Sequence, residues 1–394
     1  MISLSNIEFA DLGLTFTDNV ESICIIGNTI GFFGALINNR ISMSDSNPKT
    51  INDNLAWIFN EVGKNSKFFI VGDKSTIRYY NAVFKLAGSS YMKKISWQSV
   101  NLDKIIRTNP DYKKFRNNHN AAYMSVLEEL HNRKMKFTKI IMNPPYDGNF
   151  HLKLVSTAMK LSDDIINLSP IRWLQDPLAE YKSGSDWNKF DNIRNHIESL
   201  NEIKAEDAQD MFESGQYENL GVYHITNKGG LRLSPKPFIS QVLFDKVNLP
   251  TYQGKYKSLY DVRSPEGEPD YTRPFIKMSF AHGHVGSSDW YDIISRKLEV
   301  CTNKSVTGGK KLTASFTFNF DTQEEAENFF NYCNTDFVKA CNGNVKTNIR
   351  WPGYAIPFMP TYSHPWTDEM LFEYFGIKQD EAKEIKDELY KNIG

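Results

Sequence analysis

Blocks of apolar residues recur along the chain at strand length, separated by stretches with helical spacing. Ser22-Ile23-Cys24-Ile25-Ile26 and Phe68-Phe69-Ile70-Val71 are continuous apolar runs, the mark of strands covered on both faces. The first runs into Gly27-Asn28-Thr29 and the second into Gly72-Asp73. Helical spacing follows each: Phe32 to Asn39 and Ile51 to Gly63 between them, then Ile77 to Leu86, with Gly88 expected as a C-cap. Lys93 to Trp97 predicts a third strand, and the basic stretch Asp111 to Asn120 a solvated loop. Phe137 to Met142 predicts a buried strand, His151 to Leu161 a helix, and Asp164 to Pro170 another strand. Asn188 to Glu202 reads as a charged helix. Leu220 to Thr226 alternates as a strand, with Asn227-Lys228-Gly229-Gly230 expected to close a hairpin. Strands alternating with helices predict an α/β fold: a Rossmann-like mixed sheet with helices on both faces.

The texture changes after Leu231, and Pro235 and Pro237 mark a linker. Two domains are expected, 1–235 and 236–394, the second α+β with short strands and Gly-rich turns. In it Ser315 to Phe320 alternates as a strand, and Thr322 with Glu325 forms a capping-box pattern opening a helix to Asn331.

The chemistry concentrates at Asn143-Pro144-Pro145-Tyr146, directly after the buried strand. Two prolines fix φ and remove two backbone donors, so pairing stops there and carbonyls stay available to accept. Asn143 Oδ1 and the Pro144 carbonyl suit the two hydrogens of a planar amino group, and the Tyr146 ring suits stacking on the ring that carries it. Ile140 to Tyr146 resembles the catalytic motif of S-adenosylmethionine-dependent amino-methyltransferases, above all the adenine-specific DNA enzymes; protein-glutamine methyltransferases share the tetrapeptide. A second resemblance lies in Phe320-Asp321-Thr322, Glu324 to Asn328, Thr335 to Val338, Trp366 to Glu369 and Phe375-Gly376-Ile377. These segments are similar to the C-terminal region of bacterial and phage type II adenine methyltransferases, where the family recognises its DNA target.

The resemblance implies Asn143, Pro144, Pro145 and Tyr146 as the catalytic set acting on a flipped adenine. It implies an aromatic covering the second face of that base. Phe212 and Tyr217 both qualify, and Phe212 is preferred. For S-adenosylmethionine it implies Gly27 and Asn28 after the first strand, Asp73 at the ribose, and Asn143 beside the methyl donor. A helix N-cap is the equally weighted role for Asp73. The family also carries an acid after the first strand, and no Asp or Glu stands between Ile23 and Asn39. It places a further acid after the third strand, where Asp103 falls late. Arg172 and Trp173 follow the Ser169-Pro170 strand end and face either the substrate or the core.

Composition changes this picture little. The chain has 394 residues, 40% hydrophobic and 24% charged, the balance of a globular protein. A net charge of −1 means that a double-stranded DNA partner needs a local basic face. Lys304, Lys310 and Lys311 around Gly308-Gly309 are a phosphate-contact candidate, or a solvated hairpin tip. Cys24, Cys301, Cys333 and Cys341 form no C-x-x-C pair, so neither a metal site nor a disulfide framework is expected. No apolar stretch reaches membrane-spanning length and no signal peptide is visible, so the cytoplasm of a bacterial host cell is the expected location. A cognate restriction endonuclease is a partner that the family admits. Two other readings stay open: a protein-glutamine methyltransferase, and a catalytically inactive methyltransferase fold that binds DNA or protein.

Overall fold

The computed structural model describes residues 22–27, 67–91, 96–204, 208, 218–228, 230–231, 233, 239–264, 270, 272–279, 315–347 and 352–393. The helices expected at 32–39 and 51–63, the linker prolines and the lysine loop at 304–311 lie outside these residues. The chain divides into two compact units. One comprises Met1–Ile171, Gly184–Ser214 and Asn219–Leu233, the other Arg172–Ser183, Gly215–Glu218 and Ser234–Gly394.

The first unit is a seven-stranded mixed sheet with helices, an α/β fold of the Rossmann-like kind. Its strands are β1 (Ser22–Gly27), β2 (Lys67–Gly72), β3 (Ser96–Asn101), β4 (Lys139–Asn143), β5 (Asp164–Pro170), β6 (Ile197–Ile203) and β7 (Leu220–Thr226). They stand in the order β3-β2-β1-β4-β5-β7-β6. The pairs from β3 through to β5 are parallel, while β7 runs antiparallel to both its neighbours. The order therefore walks outward from β1 to β3, then returns to β4 on the other side of β1. Right-handed crossovers put α1 (Lys74–Tyr91) on one face, and α3 (Asn118–Asn132) and α4 (Phe150–Ala158) on the other, with the short α2 (Leu102–Thr108) after β3.

Side-chain alternation bears this out. Ile23, Ile25, Phe68 and Ile70 share one cluster with Ile77, Tyr80 and Phe84 of α1. The intervening Cys24, Ile26, Phe69 and Val71 are equally buried, and the Phe69 ring lies 5.6 Å from that of Phe137. Burial on both faces is why these strands read as continuous apolar runs.

Several expectations need correction. The helix after β2 starts at Lys74, capped by Asp73, and runs through Tyr91, so Gly88 is not its cap. The third strand is described over Ser96–Asn101 and so runs on past Trp97, while residues 93–95 of the expected strand lie outside the described residues. Within the expected loop at 111–120, Pro110–Lys114 is a 3₁₀ turn and α3 already begins at Asn118. The expected helix at 188–202 is two short turns, Asp186–Lys189 and Asp191–Arg194, followed by strand β6. The residues after β7 do not open a hairpin, because β7 pairs with the earlier β5 and β6.

The second unit holds an antiparallel pair, β8 (Phe275–Ser279) and β9 (Ser315–Asn319), with α5 (Gln323–Cys333), α6 (Asp336–Val345), α7 (Asp368–Tyr374) and α8 (Gln379–Ile393). The expected capping box forms: Thr322 accepts from the Glu325 amide, and the Glu325 carboxylate accepts from the Thr322 amide. Its core is aromatic, with Phe318, Phe329, Tyr332, Phe337 and Phe372 buried together. Among the described residues no helix is long and apolar enough to cross a membrane. Cys24, Cys333 and Cys341 are buried free thiols.

Candidate active site

In a parallel sheet the strand ends carry the loops that meet ligands, and the crevice lies where the strand order reverses. Here the reversal falls between β1 and β4, and Gly27 and Asn143 are the paired residues at its carboxyl end. Gly27 has φ +80°, and a Cβ there would lie 2.1 Å from the Asn143 carbonyl oxygen. Only glycine admits this approach, so the edge beside Asn143 is kept clear of side chain. Pairing of β4 with β5 ends at Met142 and Asn167, because Pro144 and Pro145 have no amide hydrogen to continue it.

Asn143 thus projects from the edge as the first residue past that last rung. Its Oδ1 lies 2.6 Å from the Tyr146 hydroxyl, which is also 3.1 Å from the Leu168 carbonyl on β5. The Tyr146 ring meets the His151 ring edge-on, with centroids 6.2 Å apart. The residue remains 37% exposed while its hydroxyl points inward. Burial of that polar end, with Tyr223 nearby, holds the phenol well above its usual range, so it stays protonated. Tyr223 itself donates to the Pro170 carbonyl.

The loop beyond Tyr146 is anchored on both sides. Asp147 Oδ2 accepts from Asn120 Nδ2 at 3.0 Å and from Asn117 Nδ2 at 3.3 Å, both at the start of α3. Asn149 Nδ2 donates to Asp186 at 2.9 Å. Asn120 is buried, and its Oδ1 has no hydrogen-bond partner among the described residues.

At the ends of β2 and β3 two acids stand together. Asp73 Oδ1 accepts from the Thr76 amide at 2.8 Å and from the Ser75 hydroxyl at 2.9 Å, so the N-cap role is realised. Both of these bonds fall on Oδ1. Partial burial works against the charge of Asp73. The Thr76 amide, the Thr76 and Ser75 hydroxyls and the neighbouring His119 still hold the carboxyl below its usual range. Asp103 accepts from the Lys74 amide at 2.8 Å and lies 3.0 Å from His119 Nε2. With β3 ending at Asn101, Asp103 is two residues past the strand and so not late. Burial, then the charges of Asp73 and Asp103, raises the Tyr123 phenol well above its ordinary range.

The structure therefore brings Gly27, Asn143, Pro144, Pro145, Tyr146 and Asp73 to one sheet edge. Asn28, Phe212 and Tyr217 lie outside the described residues. Trp173 is buried, and Arg172 pairs with Glu218 at 2.8 Å. Asp103, His119, Asn120, Asp147 and the Leu168 carbonyl join the edge without having been singled out as site residues. The signal for Asp103 was a strand boundary; for the others it was tertiary. Among the described residues no His, Cys, Asp or Glu group is arranged to hold a metal ion.

The edge offers acceptors for an amino group at β4 and for hydroxyl or amino groups at β2 and β3, with an exposed aromatic face beside the first. In comparison with known proteins, the chain matches no family model and no curated sequence.

Proposed function

We propose that this chain is an S-adenosylmethionine-dependent DNA methyltransferase acting on the N6 amino group of adenine. The observation that carries the reading is the end of β4. An amide oxygen and a proline carbonyl stand there at the point of strand-order reversal, beside a glycine whose missing Cβ keeps the edge clear.

The residues present fit the cofactor. Gly27, at φ +80°, ends β1 in a turn of backbone without a side chain, the Asp73 carboxylate suits a ribose hydroxyl, and Asp103 suits the adenine amino group. When bound, S-adenosylmethionine supplies an electrophilic methyl group on a sulfonium.

The protein's own work is orientation and dipole preorganisation. An adenine amino group is a weak nucleophile because its lone pair is delocalised into the ring. Hydrogen bonds to Asn143 Oδ1 and the Pro144 carbonyl favour a more tetrahedral nitrogen with the lone pair localised. The surplus proton on that nitrogen passes to water. The Tyr146 ring stacks on the base, which leaves the duplex to reach the edge. Buried Cys24 takes no part, since its thiol is held far above its usual range by burial. DNA as the carrier of the base, in place of a glutamine side chain, is supported by the likeness of the segments between Phe320 and Ile377 to adenine methyltransferases.

The test is Asn143→Ala with labelled cofactor and an adenine-containing duplex. Methyl transfer is expected to fall by about 100-fold or more with an unchanged melting temperature. Wild-type transfer in that variant sinks the assignment. One observation favours a second reading, a non-catalytic DNA- or protein-binding module: β1 is followed by no acid before Asn39. Calorimetry with S-adenosylmethionine separates the two, since a module of that kind takes up no heat of binding with or without DNA.

A further inference from the structure

A run of rings in the second unit reaches the surface at Tyr260, which is 38% exposed. The Tyr260 ring meets Phe316 of β9 at 5.2 Å and Tyr354 at 6.4 Å, and Tyr354 meets Tyr252 at 5.9 Å. A cation lies over each end of the run. Lys182 Nζ is 4.7 Å from the centre of Tyr354 and 5.9 Å from that of Tyr252. The Arg263 guanidinium is 3.3 Å from the centre of Tyr260 and 4.9 Å from that of Phe316.

The two cations differ in what they have left to give. Lys182 donates to Asp176 at 2.7 Å and to the Tyr354 hydroxyl at 3.2 Å, so its charge is met. Arg263 is held by rings alone. Three described arginines are half-buried. Of these, Arg172 is paired with Glu218, and Arg194 donates to the Trp187 carbonyl at 3.1 Å while stacking on the Trp187 ring. No oxygen among the described residues accepts from Arg263, and its Nη1 is closed off from water as well. Asp261, two residues away, is engaged elsewhere: its Oδ2 accepts from the Ser258 amide and hydroxyl, both at 2.8 Å. Lys255 and Lys257 are exposed in the same segment, so from Pro250 to Arg263 three cations stand against one acid.

A guanidinium without an acceptor keeps a fork of donors that matches a phosphate or a carboxylate. Two rings already hold this one, so little side-chain freedom is lost when a ligand arrives. The exposed part of Tyr260 beside it favours a nucleic acid over an acidic peptide, because sugars and bases lie well against a ring. We propose that Arg263, stacked on Tyr260, grips a backbone phosphate of DNA, and that this face of the second unit is a DNA contact surface. The choice of DNA rests on the methyltransferase reading; the unspent arginine does not.

The test is the fluorescence anisotropy of a labelled duplex of mixed sequence, titrated with the full chain at several salt concentrations, with a melting temperature for each variant. Arg263→Ala is expected to weaken binding about tenfold and to lower the slope of log K against log salt by about one. Arg263→Lys is expected to recover the slope, since the charge is back, but only part of the affinity, since the fork is not. If Arg263→Ala melts early, Arg263→Gln keeps the length of the side chain, loses the charge and carries the same expectation. Arg133→Ala, the same change of charge after α3 in the first unit, is expected to match the wild type. Wild-type affinity and slope in Arg263→Ala overturn the proposal, as does a wild type that does not bind the duplex. An equal loss in Arg133→Ala overturns it too, since net charge would then be the cause. So does a loss of affinity with an unchanged slope, which would make Arg263 a structural support. Poly-L-glutamate that displaces the label as well as unlabelled duplex does, at equal charge, would make this a surface for acidic peptides and overturn DNA as its partner. A wild type that binds the duplex yet transfers no methyl group sinks the methyltransferase reading and leaves this proposal to the binding data. Methyl transfer by the wild type with unchanged binding in Arg263→Ala sinks this proposal alone.

Discussion

Two sets of polar side chains in this molecule are built on opposite plans. In the second unit, Asn344 and Asn248 are wholly buried and their bonds close on themselves. Asn344 Oδ1 accepts from the Ile239 and Ser240 amides at 3.0 and 2.9 Å, while its Nδ2 donates to the Ser240 carbonyl and to Asn248 Oδ1, both at 3.0 Å. Asn248 Nδ2 donates in turn to the Cys341 and Ala355 carbonyls. At the carboxyl edge of the first unit's sheet the bonds do not close. Asp73 spends one oxygen on capping a helix, Asn120 buries an acceptor with no partner among the described residues, and two acceptors converge on the single proton of Tyr146. A buried network that satisfies itself specifies a fold, whereas surplus acceptors at a strand edge are the form of a site that expects donors from a ligand.

The largest expected effect tests the closed set. Asn344→Ala strands two amides, a carbonyl and the Asn248 oxygen in the core, and should cost at least ~3 kcal/mol of stability by denaturant unfolding. A loss under 1 kcal/mol would show that the network is replaceable and would break the contrast. Gly27→Ala comes next. A methyl group has no room beside the Asn143 carbonyl, and φ +80° strains any L side chain, so a stability loss of ~2 kcal/mol is expected. Methyl transfer should fall with it because Asn143 must move. Full activity in Gly27→Ala would mean that the close approach at the strand reversal is not needed.

The smallest effect separates the two roles of Asp73. Asp73→Asn keeps a capping oxygen and should unfold within ~0.5 kcal/mol of wild type, whereas Asp73→Ala loses the cap at about 1 kcal/mol. On the methyltransferase reading both should weaken S-adenosylmethionine binding about tenfold by calorimetry, as the carboxylate bond proposed to a ribose hydroxyl is lost or weakened. Unchanged binding in Asp73→Asn would leave the cap as the residue's whole role. The sign of the pH dependence follows from the depressed carboxyl of Asp73. Its contribution to stability is complete above the usual carboxylate range, and disappears as the pH falls through the lowered value. The partly exposed setting keeps that contribution small.

Where local rules dominate, the sequence was legible to the residue. Asp164–Pro170 is a strand with the expected bounds, because β5 is buried on both faces. Thr322 and Glu325 cap their helix through contacts only three residues apart. Asn143 to Tyr146 end a strand because proline cannot pair, whatever surrounds it. Edge strands misled the pattern. In β6 the apolar Ile197, Leu200 and Ile203 recur every third residue and mimic a helix, since a bulge between Ile197 and Ser199 shifts the alternation. In β3 the polar Ser96–Asn101 gives little apolar signal, since among the described residues this strand has a neighbour on one side only.

The sequence by itself determined the α/β class, the buried strands and the acceptor group at Asn143 and Pro144, because each follows from short-range geometry or from residue chemistry alone. Only the tertiary structure decided that Gly27 stands against Asn143, that the Tyr146 hydroxyl meets a carbonyl of the next strand, and that Asp73, Asp103 and His119 share one edge. Those neighbours are set by strand order and register, which depend on the packing of the whole sheet, and no spacing along the chain encodes them.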